Sequence, residues 1–201
     1  LFGINDWWPR IVAPSFGLGC LFLTSHLARC LWPKSDAAIV APLLMIGSFF
    51  WGLYTTLTMF DLMLTFFVLV GLTGMVMSWQ GRSIGGWLLF GIGLGFGVLS
   101  KGPVVLVFLL PASLLAPLWL TDRTTVRWTL WYGGLLGGLV LGISIGLAWA
   151  LPAGFAGGEA YRNAIFFGQT TGRLVNSFDH SQPVWWYLPF LPLILLPWIL
   201  W

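Results

Sequence analysis

Seven apolar stretches follow one another along this 201-residue chain with little between them, and that succession limits the fold more than any single residue does. They cover residues 11–31, 37–57, 62–79, 84–99, 104–120, 129–151 and 187–201. A bilayer core is crossed by about 17–25 apolar helical residues, so the fourth stretch is short and the seventh stops with the chain. The connection at residues 80–83 has room only for a tight turn, which makes its neighbours an antiparallel hairpin. Period-two alternation over ten-residue segments is lacking, which argues against a β-barrel. The expected fold is all-α: one polytopic transmembrane helix bundle over residues 1–201, with about seven spans. Residues 152–186 are expected to form an extracytoplasmic loop within it. The chain opens without Met and stops inside an apolar run, so it reads as a piece cut at both ends.

Composition agrees. Charged residues make up 7% of the chain and hydrophobic ones 58%, against roughly 25% charged in a soluble domain. Aromatics at 17%, with fourteen Trp, suit a chain that passes repeatedly through the headgroup region. The net charge of +3 comes from scattered Lys and Arg that form no run, which speaks against a nucleic-acid partner. Cys20 and Cys30 lie ten helical residues apart, roughly 15 Å, too far for a disulfide. They read as small packing residues.

Orientation follows from the basic residues. With the first span running inward, Arg29, Lys34, Arg82, Arg123 and Arg127 are cytoplasmic, and Arg10, Lys101, Arg162 and Arg173 lie outside. Among the acids, Asp6, Asp61, Glu159 and Asp179 then lie outside, with Asp36 and Asp122 inside. One face carries short basic turns, and the other carries mixed charge and the longest loop.

Gly134, Gly138, Gly142 and Gly146 recur every fourth residue, a small-residue ridge that lets a second backbone approach in lipid. Gly71 lies outside that ridge. Gly91, Gly93, Gly95 and Gly97 have the look of a nucleotide loop but follow no strand, so they too read as helix packing.

The outer face gathers the chemistry-bearing types. Asp61 heads an apolar helix, where a carboxylate can hold a hydroxyl or serve as a base, or can simply cap the helix. Lys101, followed by Gly102 and Pro103 at a hairpin tip, can meet a phosphate or snorkel to the interface. Arg162 and Arg173 bracket an amphipathic segment with Ile165, Phe166 and Phe167, and can grip a substrate phosphate or lipid headgroups. His180, Trp185, Trp186 and Tyr187 can wall a sugar site or anchor the interface. Asn5 to Arg10 forms a short amphipathic lead-in.

Taken in order, Phe2-Gly3 through Trp7-Trp8 and Arg10, Phe60-Asp61 with Leu64-Thr65-Phe66-Phe67, and Lys101-Gly102-Pro103 form a pattern. It continues through Arg162-Asn163, Gly168-Gln169 and Gly172-Arg173, then His180, Pro183, Trp186-Tyr187 and Pro197-Trp198. This order resembles the bacterial protein-mannosyltransferase-like glycosyltransferases, a group that includes the aminoarabinose transferases of lipid A. The resemblance implies a membrane glycosyltransferase of the C type at the outer face of the bacterial inner membrane. Such an enzyme moves a sugar from a polyprenyl-phosphate donor to a lipid or protein acceptor, with membrane lipids around it. In that setting Lys101, Arg162 and Arg173 bind the donor phosphate, and Asp61 supports the acceptor or the base. His180, Trp185, Trp186 and Tyr187 form the sugar or acceptor wall. The acidic motif usually given the base role is expected upstream of Leu1, so this stretch alone is expected to be inactive. No cofactor is fixed, no residue is assigned to a metal, and room is left for a divalent ion.

A transporter or flippase-like subunit is the rival class. It calls for charges or Pro/Gly breaks at mid-membrane depth, whereas the ionisable residues here sit at span ends, His26 being the nearest exception. A purely structural subunit would tolerate loss of the outer charges.

The assigned orientation has a direct check. In a cysteine-free background, cysteines placed at Ser177 and Ser83 should be labelled from opposite sides by an impermeant thiol reagent, Ser177 from outside. Labelling of position 83 alone from outside inverts the topology.

Overall fold

The computed structural model describes residues 7–57, 60–120, 126–158, 185, 188–189 and 191–200. Every regular element among them is a helix. They are α1 (Trp7–Leu31), α2 (Ala37–Gly47), α3 (Phe49–Thr56), α4 (Asp61–Trp79) and α5 (Ser83–Lys101). Then come α6 (Val104–Leu114), α7 (Ala116–Trp119), α8 (Trp128–Ala156), α9 (Leu191–Ile194) and a 3-10 turn at Trp198–Leu200. Four helices are long and apolar enough to cross a membrane: Arg10–Leu31, Asp61–Trp79, Ser83–Lys101 and Trp128–Ala156. A fifth crossing exists if α2 and α3, bent by 69°, count as one span. The described residues thus show four or five crossings where the sequence counts seven.

Two expected spans are interrupted, and proline chemistry accounts for one of them. In the stretch 104–120, Pro117 has no N–H to give to the Ser113 carbonyl four residues earlier, and its ring crowds that carbonyl. The helix stops at Leu114 and resumes only as the single turn α7. In lipid a freed carbonyl has no water to turn to, and here ring donors take over. Trp119 Nε1 donates to the Ala112 carbonyl at 2.9 Å, Trp131 Nε1 to Ser113 at 3.1 Å, and the Tyr132 hydroxyl to Leu114 at 3.2 Å. Pro42 in α2 does the same on a smaller scale. The Ala38 carbonyl it leaves without a donor receives the Ser25 hydroxyl of α1 at 2.6 Å.

The stretch 37–57 breaks at Ser48, whose backbone is extended (φ −74°, ψ 131°). Trp198 Nε1 donates to the Leu44 carbonyl at 3.0 Å, and the Phe49 N–H donates to Leu196 at 3.4 Å, so the break is stitched by the chain's last described segment. That segment, expected as a seventh span over 187–201, is described only as α9 and the 3-10 turn. At the other boundary, α8 runs through Pro152 to Ala156, so the loop expected from residue 152 begins later. A proline is tolerated in a membrane helix where nearby groups restore its lost bond. Residues 159–184 lie outside the described residues.

The chain divides into two compact units. The first comprises Leu1–Leu62 and Gly172–Trp201. Here α1 packs on α2 and α3, with Gly17 giving the Thr55 methyl and Trp51 room to approach. Cys20 is fully buried, and its thiol donates to the Leu62 carbonyl at 3.6 Å. Neither cysteine forms a disulfide, which fits their reading as packing residues.

The second unit, Met63–Thr171, is organised around α5. Helix α8 runs parallel to it: a side chain at Gly138 would strike Phe90, and one at Gly142 would strike Leu94. Gly134 likewise faces Trp87. This is the expected glycine ridge, and α5 is what it receives. Helix α4 lies antiparallel on another side of α5, closer still. A Cβ at Gly93 would sit 2.6 Å from the Gly71 nitrogen and 2.7 Å from the Phe67 carbonyl oxygen. Phe67 and Phe96 stack at 5.4 Å along the same seam. Trp87, Phe90, Leu94, Val105, Leu109 and Leu135 fill the core between these helices. Gly71, outside the ridge by spacing, is nevertheless packed: a Cβ there would meet Leu109 at 2.7 Å.

Gly93→Ala should destabilise by about 1–3 kcal/mol, because it overpacks against backbone that cannot turn aside. Gly137→Ala, with nothing within 4 Å of its Cβ, should be neutral or stabilising through helix propensity; melting in detergent reads both. For the proline break, Trp131→Phe should cost about 1–3 kcal/mol in an otherwise unchanged chain by orphaning the Ser113 carbonyl. The cost should shrink by roughly 1 kcal/mol when Pro117→Ala restores a backbone donor, a coupling that a double-mutant cycle measures. Strictly additive effects would remove the indole N–H from this role.

Candidate functional site

Helix α5 ends on Lys101, whose ammonium meets the negative end of the helix dipole. The chain reverses at Gly102, with φ 74° and ψ −157°, a conformation that side chains with a Cβ avoid. Pro103 then starts α6. The Gly102 N–H closes on Val98 at 2.8 Å and the Leu106 N–H on Pro103 at 3.0 Å, so the tip is bonded on both sides. A side chain at Gly97 would lie 2.6 Å from Val105, which brings α6 directly back against α5. Lys101 is exposed at the apex of this tightly built reversal. The hairpin tip read from Lys-Gly-Pro is what the backbone forms.

Asp61 opens α4 and is half-buried in its first turn, where the positive end of the dipole favours a carboxylate. Both readings of Asp61, helix-end carboxylate and substrate contact, place it at this position. Trp185 is 62% exposed. Arg162, Arg173, His180, Trp186 and Tyr187 lie outside the described residues. Among the described residues no three His, Cys, Asp or Glu side chains group as metal ligands.

Sequence reasoning passed over the opposite end of the second unit. There the 80–83 turn meets the start of α8, and a cleft of about 160 Å³ opens among Ser78, Gly81, Ser83, Trp87, Arg127 and Trp131. The available signal was positional. On the orientation read from the sequence α5 and α8 begin on the same face, which allows Ser83 and Arg127 to be neighbours without requiring it.

Apolar helices that cross a bilayer, seams of glycine and charges held at helix ends define an integral membrane protein. The model of the dolichyl-phosphate-mannose-protein mannosyltransferase family matches residues 1–149, and the chain belongs to that family. It is 30% identical, over 98% of its length, to an undecaprenyl phosphate-alpha-4-amino-4-deoxy-L-arabinose arabinosyl transferase of Pseudomonas aeruginosa. It is also 30% identical, over its whole length, to arabinosyl transferase 1 of the same description from Pseudomonas fluorescens. Identity to the Enterobacter sp. enzyme so described is 25% over 99% of the chain. The chain spans 36% of the length of each of these relatives. No solved structure matches it.

Proposed function

We propose that this chain is the part of a membrane glycosyltransferase that grips a polyprenyl-phosphate-linked sugar. On this reading the sugar passes to a lipid or protein acceptor at the outer face of the bacterial inner membrane. The observation that carries it is the exposed lysine at a glycine-hinged, doubly bonded tip, in a chain whose relatives are named for an undecaprenyl phosphate-linked sugar. In the reaction the acceptor oxygen forms a bond to the anomeric carbon, and the bond from that carbon to the phosphate oxygen breaks. The acceptor's proton goes to a base, and polyprenyl phosphate leaves with its charge increased. A fixed cation at a poorly hydrated site stabilises that growing charge more than the ground state. Lys101 has this role, shared with Arg162 and Arg173. Asp61 supports the acceptor or the base, and His180, Trp185, Trp186 and Tyr187 form the sugar wall. Residues 1–201 act as one transmembrane domain with an outer loop ending near residue 186.

The break at Ser48 is the feature a transporter would use, since unwound helix ends supply ion and substrate contacts. Here the Leu44 carbonyl and the Phe49 N–H are already bonded to the last described segment, which favours a structural break.

In the full-length protein, Lys101→Met should lower sugar transfer from a polyprenyl-phosphate donor by about 30- to 1,000-fold, the equivalent of roughly 2–4 kcal/mol. Lys101→Arg should keep part of the activity. Asp61→Asn should be comparably damaging if the carboxylate meets substrate. With expression and melting temperature matched, near-normal transfer by Lys101→Met would return the lysine to an interfacial role.

A further inference from the structure

Helix α8 outruns the helix it packs against. It has twenty-nine residues to the nineteen of α5, roughly 43 Å against 28 Å, and the two run parallel. Their register is readable from the seam between them. A Cβ at Gly142 would lie 2.6 Å from the Leu94 side chain, and one at Gly95 would lie 2.7 Å from Ile145. A step of seven residues returns to the same helix face within about 20°. Taken from Leu94 and Gly142, that step arrives at Lys101 and Trp149. Helix α5 ends there, while α8 continues through residues 150–156, roughly 10 Å further.

Trp149 belongs to the seam by position. Trp131, Leu135, Gly138 and Gly142 lie on one line of α8, at alternating steps of four and three, and all four are buried. The same steps lead through Ile145 to Trp149, which is nevertheless 52% exposed. An interfacial anchor would point outward with Leu136, Val140 and Ile143, but those exposed residues lie on the other side of the helix. The indole is uncovered because α5 has stopped opposite it. The seam also widens towards this end: the Cβ approach is 2.6 Å at Gly142 and 3.7 Å at Gly146, where it meets Val98. Lys101 is exposed at the same level.

A cation and an aromatic ring at one level, on neighbouring helices, suit a ligand with a charged group joined to a ring of C–H bonds. Phosphate oxygens answer the ammonium. The weakly positive C–H face of a sugar answers the negative face of the indole, by the attraction that also orders aromatic pairs. In a glycosyl phosphate these two groups are adjacent, one oxygen apart. Packed helix axes stand about 8–10 Å from each other, a gap that such a group can bridge between a lysine and an indole.

We propose that Trp149 packs against the sugar of the polyprenyl-phosphate-linked donor, making the site prefer a glycosylated lipid phosphate to a bare one. The proposal rests on the reading that Lys101 holds the donor phosphate. Its consequence is directional. Once the sugar has been transferred, polyprenyl phosphate keeps the contact with Lys101 but loses the one with Trp149, so product is held more weakly than donor.

The test measures binding to the full-length protein in detergent. Its probes are undecaprenyl phosphate alone, and undecaprenyl phosphate linked to mannose or to 4-amino-4-deoxy-L-arabinose. The unaltered protein should bind at least one linked form more tightly than the bare lipid. Trp149→Leu, which keeps apolar bulk but loses the ring, should weaken that form about tenfold and leave the bare lipid unchanged. Trp149→Phe should retain most of the preference. Comparing ligands within each variant cancels any loss of folded protein. Equal losses for linked and bare lipid, no loss for either, or no preference in the unaltered protein overturns the proposal. Lys101→Met separates the two readings. If it weakens every ligand while Trp149→Leu discriminates between none, only the role of Trp149 falls. If it weakens no ligand, the donor-phosphate reading falls and takes this one with it.

Discussion

A carbonyl that loses its helical partner inside a bilayer has no water to fall back on, and much of this structure answers that difficulty. Pro42 and Pro117 each strip a donor from an apolar helix, and in each case a side chain from a neighbouring helix replaces it. The replacements fix neighbours as well as satisfying groups. Ser25 can reach the Ala38 carbonyl only if α1 lies beside α2, and Trp131 can reach Ser113 only if α8 begins beside the end of α6. Local defects thus become long-range constraints. The aromatic richness of the chain has a use beyond the interface, because an indole N–H carries a donor across the width of a large apolar ring.

The same constraint explains where the sequence was readable and where it was not. Four crossings were visible from length and apolarity alone, because those properties act residue by residue. So was the Gly134-Gly138-Gly142 ridge, whose spacing is the helix period itself. The split of 104–120 was harder to see: Pro117 was plain, but its effect depends on Trp119, Trp131 and Tyr132 standing ready to accept the break. The bend at Ser48 has only the Gly47-Ser48 pair as a local signal. Its freed carbonyl is met by Trp198, 154 residues further along the chain. Gly71 teaches the same lesson in packing, because its neighbour Leu109 comes from a helix two further along.

The candidate site was legible in part for a related reason. Lys101, Gly102 and Pro103 form a local unit whose geometry follows from the residues themselves, and the backbone at Gly102 bears that out. Arg162, Arg173 and His180 lie outside the described residues, and the roles proposed for them rest on long-range folding that spacing along the chain does not encode. The cleft beside Arg127 escaped notice because its parts are individually bland: two serines, a glycine, an arginine and the faces of two indoles. Only the parallel start of α5 and α8 makes them one surface.

The glycines packed around α5 are of two kinds, and the difference governs how these positions can drift over evolutionary time. Along α8, Gly134 and Gly142 make way for the side chains of Trp87 and Leu94. A larger residue at these two positions can be answered by a smaller one on α5, although Gly91, whose Cβ would meet the Gly138 carbonyl oxygen at 2.8 Å, has no such partner. Along α4, Gly93 is pressed against the Gly71 nitrogen and the Phe67 carbonyl. No substitution in the partner makes a main-chain atom smaller. Such a position has no compensating move, and Gly93, pressed on α4 backbone, is one that descendants must keep small.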